Sequence, residues 1–327
     1  MTITRFGTTP DGQAVHRLSL RAGDLRVALL DWGAILQDVR LEGIDWPLTA
    51  GSPDFAAYLG PLRWFGAIVG PVANRIGGAR ALIGGRLVRF EPNEGGTLLH
   101  SGAGGTHARL WQVVEATEAR ALLRLDLPDG CDGFPATRRI EAGVTLEPPA
   151  GLRLSLTARS DATTLMNLAN HSYWTLDPEP GIAGQQLSVN AQGWLPTRAG
   201  LPVGEVAAAA GLFDLREARP LARDEVIDHN FCLADAPRAL TAAATLTGRA
   251  GLRLDLSTTA PGLQVYSGRE IDSGTFPGHH GRPYAPFDAI ALEPQMWPDA
   301  PNHPGFPPIT LNPGETFRQE TLFTFSR

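Results

Sequence analysis

The chain has 327 residues, 43% of them hydrophobic and 19% charged, with a net charge of −6; this is the balance of a folded globular protein, not a disordered one. A pI near 5.8 provides no basic face for nucleic acid or an anionic membrane, and no apolar run approaches the roughly 20 residues of a membrane span. All 28 basic residues are arginine, which excludes Schiff-base chemistry and lysine general bases, and with them PLP enzymes and imine-forming aldolases. Cys131 and Cys232 are far apart and show no metal or redox spacing, so a reducing compartment is expected. The N-terminal stretch MTITRFGTTPDGQ lacks a basic-then-apolar leader, and a cytoplasmic location follows as the expectation.

In chain order, the turn Pro10-Asp11-Gly12 precedes two strand patterns, Leu25–Leu30 and Ala34–Leu41, broken at Asp31-Trp32-Gly33. Pro53–Leu59 reads as one or two helical turns. Arg86–Phe90, Leu122–Leu127, Leu152–Thr157 and Leu252–Ser257 alternate apolar and polar residues as half-buried strands do. Asp129-Gly130 and Pro148–Gly151 punctuate them. Glu205–Leu212, rich in alanine, is the second helical candidate. So few helical signals exclude βαβ alternation, and the expectation is an all-β protein of mostly antiparallel strands, a large sandwich or a barrel-like pair of sheets. No repeat or linker breaks the pattern, so residues 1–327 read as one domain.

Six stretches carry polar chemistry. In Gly66–Gly78, GAIVGPVANRIGG, glycines flank Asn74 and Arg75 without the ending of a phosphate loop; the Arg75 fork suits a pair of hydroxyls or a carboxylate. LLHSGAGG puts His100 at a strand end before a glycine loop. LMNLANHSYWTL (Leu165–Leu176) is the densest constellation: if it is one strand, Asn167, Ala169, His171 and Tyr173 share a face opposite Asn170, Ser172 and Trp174. His171 is the side chain there that both donates and accepts a proton near neutrality, and the aromatic residues beside it suit the C–H faces of a sugar ring. IDHNFCL and LQVYSG present Asp228 and the pair Gln264 and Tyr266. Finally, Asp288–Pro304, DAIALEPQMWPDAPNHP, carries Glu293 to a point where Pro294 is expected to end regular pairing, which puts Glu293 at a strand end or edge. The loop beyond, with Trp297, Asp299, Asn302 and His303, reads as a site wall. His279-His280 read as an exposed loop, no His-x-His or His-Glu-x-x-His pattern indicates a metal, and Ser172 lacks the setting of a serine nucleophile.

GPVANRIGG, LLHSG, DGFPATRRIEAGVTL, LMNLANHSYWTL, IDHNFCL, GLQVYSG and ALEPQMWPDAPNHPGFPPITLNPGETF occur in this order, and together they resemble the aldose 1-epimerases (galactose mutarotases) from about residue 20 to the C-terminus. The resemblance implies a galactose-mutarotase-like β-supersandwich that interconverts sugar anomers without metal or nucleotide, acting as a monomer or homodimer on a small sugar. It implies Glu293 as general base, His171 as general acid, and Asn74, Arg75, His100, Tyr173, Asp228 and Gln264 as sugar-binding positions. Pro71, Ser101 and Ile227 depart from the family pattern, and none removes a group the chemistry needs. A working pair requires His171 protonated while Glu293 is ionised, a state that nearby acids are expected to favour. Two rivals stand beside this reading. One is an epimerase of phosphorylated hexoses, for which Arg63, Arg80 and Arg269 are the phosphate candidates. The other is a sugar-binding sensor that has lost catalysis.

Overall fold

The computed structural model describes residues 1–327. Where apolar residues recur at every second position the backbone is extended, because that spacing gives a strand one face to bury. Arg138–Glu147 and Gly151–Ser160 follow the rule along their length, pairing antiparallel from Arg138↔Ser160 to Glu147↔Gly151. They lie in a nine-stranded sheet ordered Gln112–Ala116, Arg120–Leu127, Arg138–Glu147, Gly151–Ser160, Phe317–Ser326, Arg253–Thr258, Thr241–Thr247, Gln186–Val189 and Arg219–Pro220. A six-stranded sheet runs Tyr173–Trp174, Ile290–Gln295, Gly262–Tyr266, Asp228–Cys232, Gly193–Trp194 and Ala207–Ala208. An N-terminal meander, Thr2–Thr8, Ala14–Ala22, Leu25–Leu30 and Leu36–Leu41, forms a third sheet in sequence order. The architecture is the expected all-β one.

The six-stranded sheet has two faces with different duties. Phe231, Leu263, Val265, Ile290 and Leu292 point into a core shared with Leu123, Ile140, Leu152 and Phe323 of the nine-stranded sheet, each such side chain contributing about 1.5–3 kcal/mol by leaving water. Trp174 packs on Phe323 and Phe325 there, with ring centroids 4.8 and 5.7 Å apart. The alternate residues Asp228, Gln264, Tyr266 and Glu293 take the other face. Strand period therefore assigns packing and chemistry to opposite sides of one sheet.

Several expectations need correction. Of the two positions expected for Glu293, a strand end or an edge, the edge holds: Ile290–Gln295 continues through Pro294, which pairs with Leu263. The proline is tolerated because Tyr173–Trp174 covers the other edge only as far as Ala291. Beyond that point the Pro294 carbonyl accepts from Gln319 Nε2 at 2.9 Å. N and C=O of one strand residue point the same way, so the nitrogen without hydrogen faces this ladder-free edge. Leu165–Leu176 is not one strand but three short pieces pairing with three partners, Thr310–Leu311, Ile68–Val69 and Ile290–Ala291. Its asparagines bridge the breaks: Asn167 Oδ1 accepts from Met296 N–H at 2.9 Å, and Asn170 Nδ2 donates to Gly66 O at 2.8 Å. The helix expected at Pro53–Leu59 is present, as one turn, Phe55–Tyr58, capped by Asp54. Glu205–Leu212 is not helical; Ala207–Ala208 adds to the sheet edge and Gly211–Phe213 forms a single 3-10 turn. Alanine's helix preference amounts to a few tenths of a kcal/mol per residue, too little in a short segment against strand pairing. His279 and His280 are half-buried, not exposed, and His279 Nε2 lies 2.8 Å from Gln37 O.

Candidate active site

One cavity of about 480 Å³ is lined by all eight residues singled out from the sequence, Asn74, Arg75, His100, His171, Tyr173, Asp228, Gln264 and Glu293. A cavity of similar size, about 500 Å³, borders Met166, Pro261 and Phe317 and contains none of them and no histidine.

The floor is set by register. Gln264 pairs directly with Glu293, and Asp228 with Tyr266, so two neighbouring rows of the sheet carry the polar side chains. Gln264 Nε2 donates to Asp228 Oδ1 at 2.6 Å. On the opposite wall Asn74 adopts a left-handed conformation with φ of 60°, which asparagine tolerates better than most residues. That turn lets its N–H donate to His100 Nδ1 at 3.1 Å, while His100 N–H donates to Asn74 O at 2.9 Å. With Nδ1 accepting, His100 carries its proton on Nε2. The Arg75 fork meets a carboxylate: Nε and Nη2 donate to Glu94 at 2.5 and 2.9 Å, and Nη1 lies 3.9 Å from Asp228 Oδ2.

His171 sits in a column of rings. Trp64 lies on one side, centroids 6.4 Å apart and planes 18° apart, and Tyr173 on the other at 5.0 Å and 29°. Tyr173 is stacked in turn on Phe65 at 4.1 Å. Tyr173 therefore has both faces covered and braces the histidine; it is not the open platform for a sugar face that its position suggested. The column holds the imidazole so that Nε2 stands 3.6 Å from Glu293 Oε1. Nδ1 of His171 and Oε2 of Glu293 are buried without a protein partner.

Both side chains are nearly inaccessible, His171 5% and Glu293 2% exposed, and burial penalises charge on each. Desolvation pushes His171 down to about 4. It drives Glu293 well above the ordinary carboxylate range, reinforced by the Asp228 charge and opposed by Arg75. The expectation that nearby acids favour an ion pair therefore meets an opposing effect, because burial disfavours the charged form of both partners. The working pair holds a single proton, shared between its two members.

Burial of histidines has a consequence for the whole fold. His107, behind Trp64, is also held at about 4, whereas histidines of the unfolded chain titrate near their ordinary value of 6.5. Between these values the unfolded state binds more protons, so stability is complete above pH 6.5 and is lost as pH falls toward 4. Glu293, raised, acts in the opposite direction, destabilising as pH rises above 4.5. With His100 also lowered well below 6.5, the histidines outnumber it. Thermal denaturation from pH 7 down to pH 4 is expected to show a steadily falling Tm; a flat profile would contradict neutral buried histidines.

Sequence reasoning missed Trp64, Phe65, Glu94 and Glu270, all of which line the cavity. The adjacent aromatics of PLRWFG and an acid six positions before His100 were the available signals. Conversely, Trp297, Asp299, Asn302 and His303 do not line it, and neither do Arg80 or Arg269; Arg63 does.

The arrangement offers one acid–base pair at the base of a pocket walled by hydrogen-bonding side chains. The sequence pattern of the family described as Aldose 1-epimerase matches residues 16–324. The chain belongs to the aldose 1-epimerase family. It is 34% identical to galactose mutarotase of Mus musculus over 100% of this chain and 98% of that protein. Identity to aldose 1-epimerase of Escherichia coli (strain K12) is also 34%, over 97% and 96%. Among solved structures, galactose 1-epimerase from Lactobacillus acidophilus NCFM has a TM-score of 0.86 at 26% identity, covering 99% of this chain and 98% of that one. An aldose epimerase homologue from C. elegans has a TM-score of 0.89 at 25% identity, covering 96% and 99%. As a member of the aldose 1-epimerase family the chain is an isomerase, and its reaction is mutarotation, the exchange of an aldose's two anomers.

Proposed function

We propose that Glu293 and His171 perform this exchange on a free aldose such as galactose or glucose, as general base and general acid. The observation that carries the assignment is their approach to 3.6 Å at the base of the cavity, each with one buried polar atom lacking a protein partner. Ring opening needs a proton removed from the anomeric hydroxyl and one supplied to the ring oxygen. Ionised Glu293 takes the first, protonated His171 gives the second, and the bond between C1 and the ring oxygen breaks to leave an aldehyde. Rotation about C1–C2 presents its other face; closure returns the proton from Glu293 to the anomeric oxygen while His171 recovers its own. The pair holds one proton throughout. Ring opening discharges both ions, so the burial that disfavours charge on each group favours this step. Asn74, Arg75, His100, Asp228 and Gln264 bind the sugar hydroxyls in this reading, with Tyr173 bracing the acid. Unpaired thiols at Cys131 and Cys232 suit a reducing, cytoplasmic setting.

Charge separates this reading from a phosphorylated substrate. The cavity borders Glu94, Asp228, Glu270, Asp272 and Glu293 against Arg63 and Arg75, and Arg75 is committed to Glu94. A dianion would meet more carboxylate than guanidinium. A sensor, for its part, has no use for an acid and a base together. Polarimetry of α-glucose, α-galactose, arabinose and xylose is expected to show accelerated exchange, with hexose 6-phosphate competing poorly. Preferred use of the phosphate ester would overturn the assignment of a free sugar, and tight sugar binding without faster exchange would favour the sensor.

A further inference from the structure

Asp299 is 6% exposed and lies outside the cavity, six residues beyond Glu293 on the same chain segment. The acid–base chemistry does not use it. Its contacts nevertheless converge on the sugar-binding wall. Its N–H donates to Arg75 O at 3.0 Å, and its Oδ1 accepts from Gly77 N–H at 2.8 Å and from Asn302 Nδ2 at 2.6 Å. His303 Nε2 lies 3.2 Å from Oδ2. Asp299 is itself left-handed, with φ of 55°, a conformation retained only where surrounding contacts over-determine it. Position 77 has no room for a side chain, since a Cβ there would stand 2.9 Å from Asp299 Oδ2. From the other direction the same segment is tied to His100 through both backbone groups of Asn74.

We propose that Asp299 is a positioning residue, a latch between the segment carrying Glu293 and the Asn74–Gly77 turn, which fixes the Arg75 guanidinium at its working distance from the base. The inference rests on the reading of Arg75 as sugar-binding. A carboxylate suits the task because its oxygens take one backbone N–H and one side-chain amide while a histidine flanks them, which locks rotation more firmly than a single contact. Arg75 acts on bound sugar in all its states, so loosening it weakens ground state and transition state alike.

Steady-state polarimetry on the full chain tests the latch. Asp299→Ala is expected to raise KM for α-galactose about tenfold while kcat stays within about threefold. Asp299→Asn, which keeps an acceptor for Gly77 N–H, should recover most of the loss. Gly77→Ala strikes the same contact from the other side, so it should raise KM comparably, and the double variant should be little worse than either single one. Asp177→Ala removes another buried acid, one that holds Gln185 and the Ala250 N–H outside the cavity; it should lower Tm without moving KM. Unchanged KM in Asp299→Ala, additive effects with Gly77→Ala, or an equal KM rise in Asp177→Ala would overturn the proposal. Should Asp299→Ala fail to fold, Gly77→Ala against Asp299→Asn makes the same comparison. Arg75→Ala run in parallel separates the two levels: if it leaves KM unchanged, the sugar-binding role of Arg75 fails, and if it raises KM while Asp299→Ala does not, the latch fails.

Discussion

Glu293→Gln is expected to lower kcat for anomer exchange at least about a hundredfold and to leave Tm unchanged or raised. The two effects have one cause. Glu293 is buried against the six-stranded sheet, beside Asp228, in surroundings that oppose its ionisation. Glutamine keeps the shape and polarity of the side chain but never carries charge, so the fold no longer bears the cost of ionising it. It also cannot accept the proton of the anomeric hydroxyl. A site arranged for chemistry is often less stable than a neutral version of itself. Polarimetry of α-galactose together with thermal denaturation checks both halves, and near-normal exchange by the variant would remove Glu293 from the role of base.

His171→Asn is expected to cost a comparable factor, at least about a hundredfold in kcat, with a different signature in pH. In the native site the active pair holds one proton. Below about 4 His171 takes a second, Glu293 stays protonated, and no base remains, so kcat/KM falls on that side and is level above it until Glu293 gives up the pair's proton. Without His171 the residual reaction depends on Glu293 alone, which must be ionised to act. Because burial raises that group, the residual rate should climb with pH across the range in which the native enzyme is level. Removing the imidazole also empties the middle of the Trp64–His171–Tyr173 column, so Tm should fall, in contrast to Glu293→Gln. A native-like pH profile in His171→Asn would show that another group supplies the acid.

The strands were legible wherever burial is one-sided. Arg120–Leu127 and Gly151–Ser160 extend their expected cores by a few residues, and Arg253–Thr258 is the expected Leu252–Ser257 strand moved on by one residue. Alternation is a local consequence of which face meets the core, and a window of a few residues records it. Leu165–Leu176 was misread for the complementary reason: it is buried almost throughout and passes between partners, so its breaks are set by Ile68–Val69 and Thr310–Leu311, which are distant in sequence. Pro294 misled similarly, since a proline ends a strand only when its nitrogen faces a ladder, and which edge stays free depends on where Tyr173–Trp174 stops.

The sequence by itself determined the all-β architecture and the chemical inventory of the site, because strand period and side-chain type are carried residue by residue. Absence of lysine removed whole classes of mechanism before any fold was known. Only the tertiary structure decided how the inventory is used. It set Glu293 and His171 3.6 Å apart, gave the Arg75 fork to Glu94, enclosed Tyr173 in the ring column, and turned the Trp297–His303 loop from a cavity wall into the support behind one. It also set burial against charge on both members of the pair. Desolvation depends on everything packed around a group, and no stretch of sequence contains that volume until the sheets have closed over it.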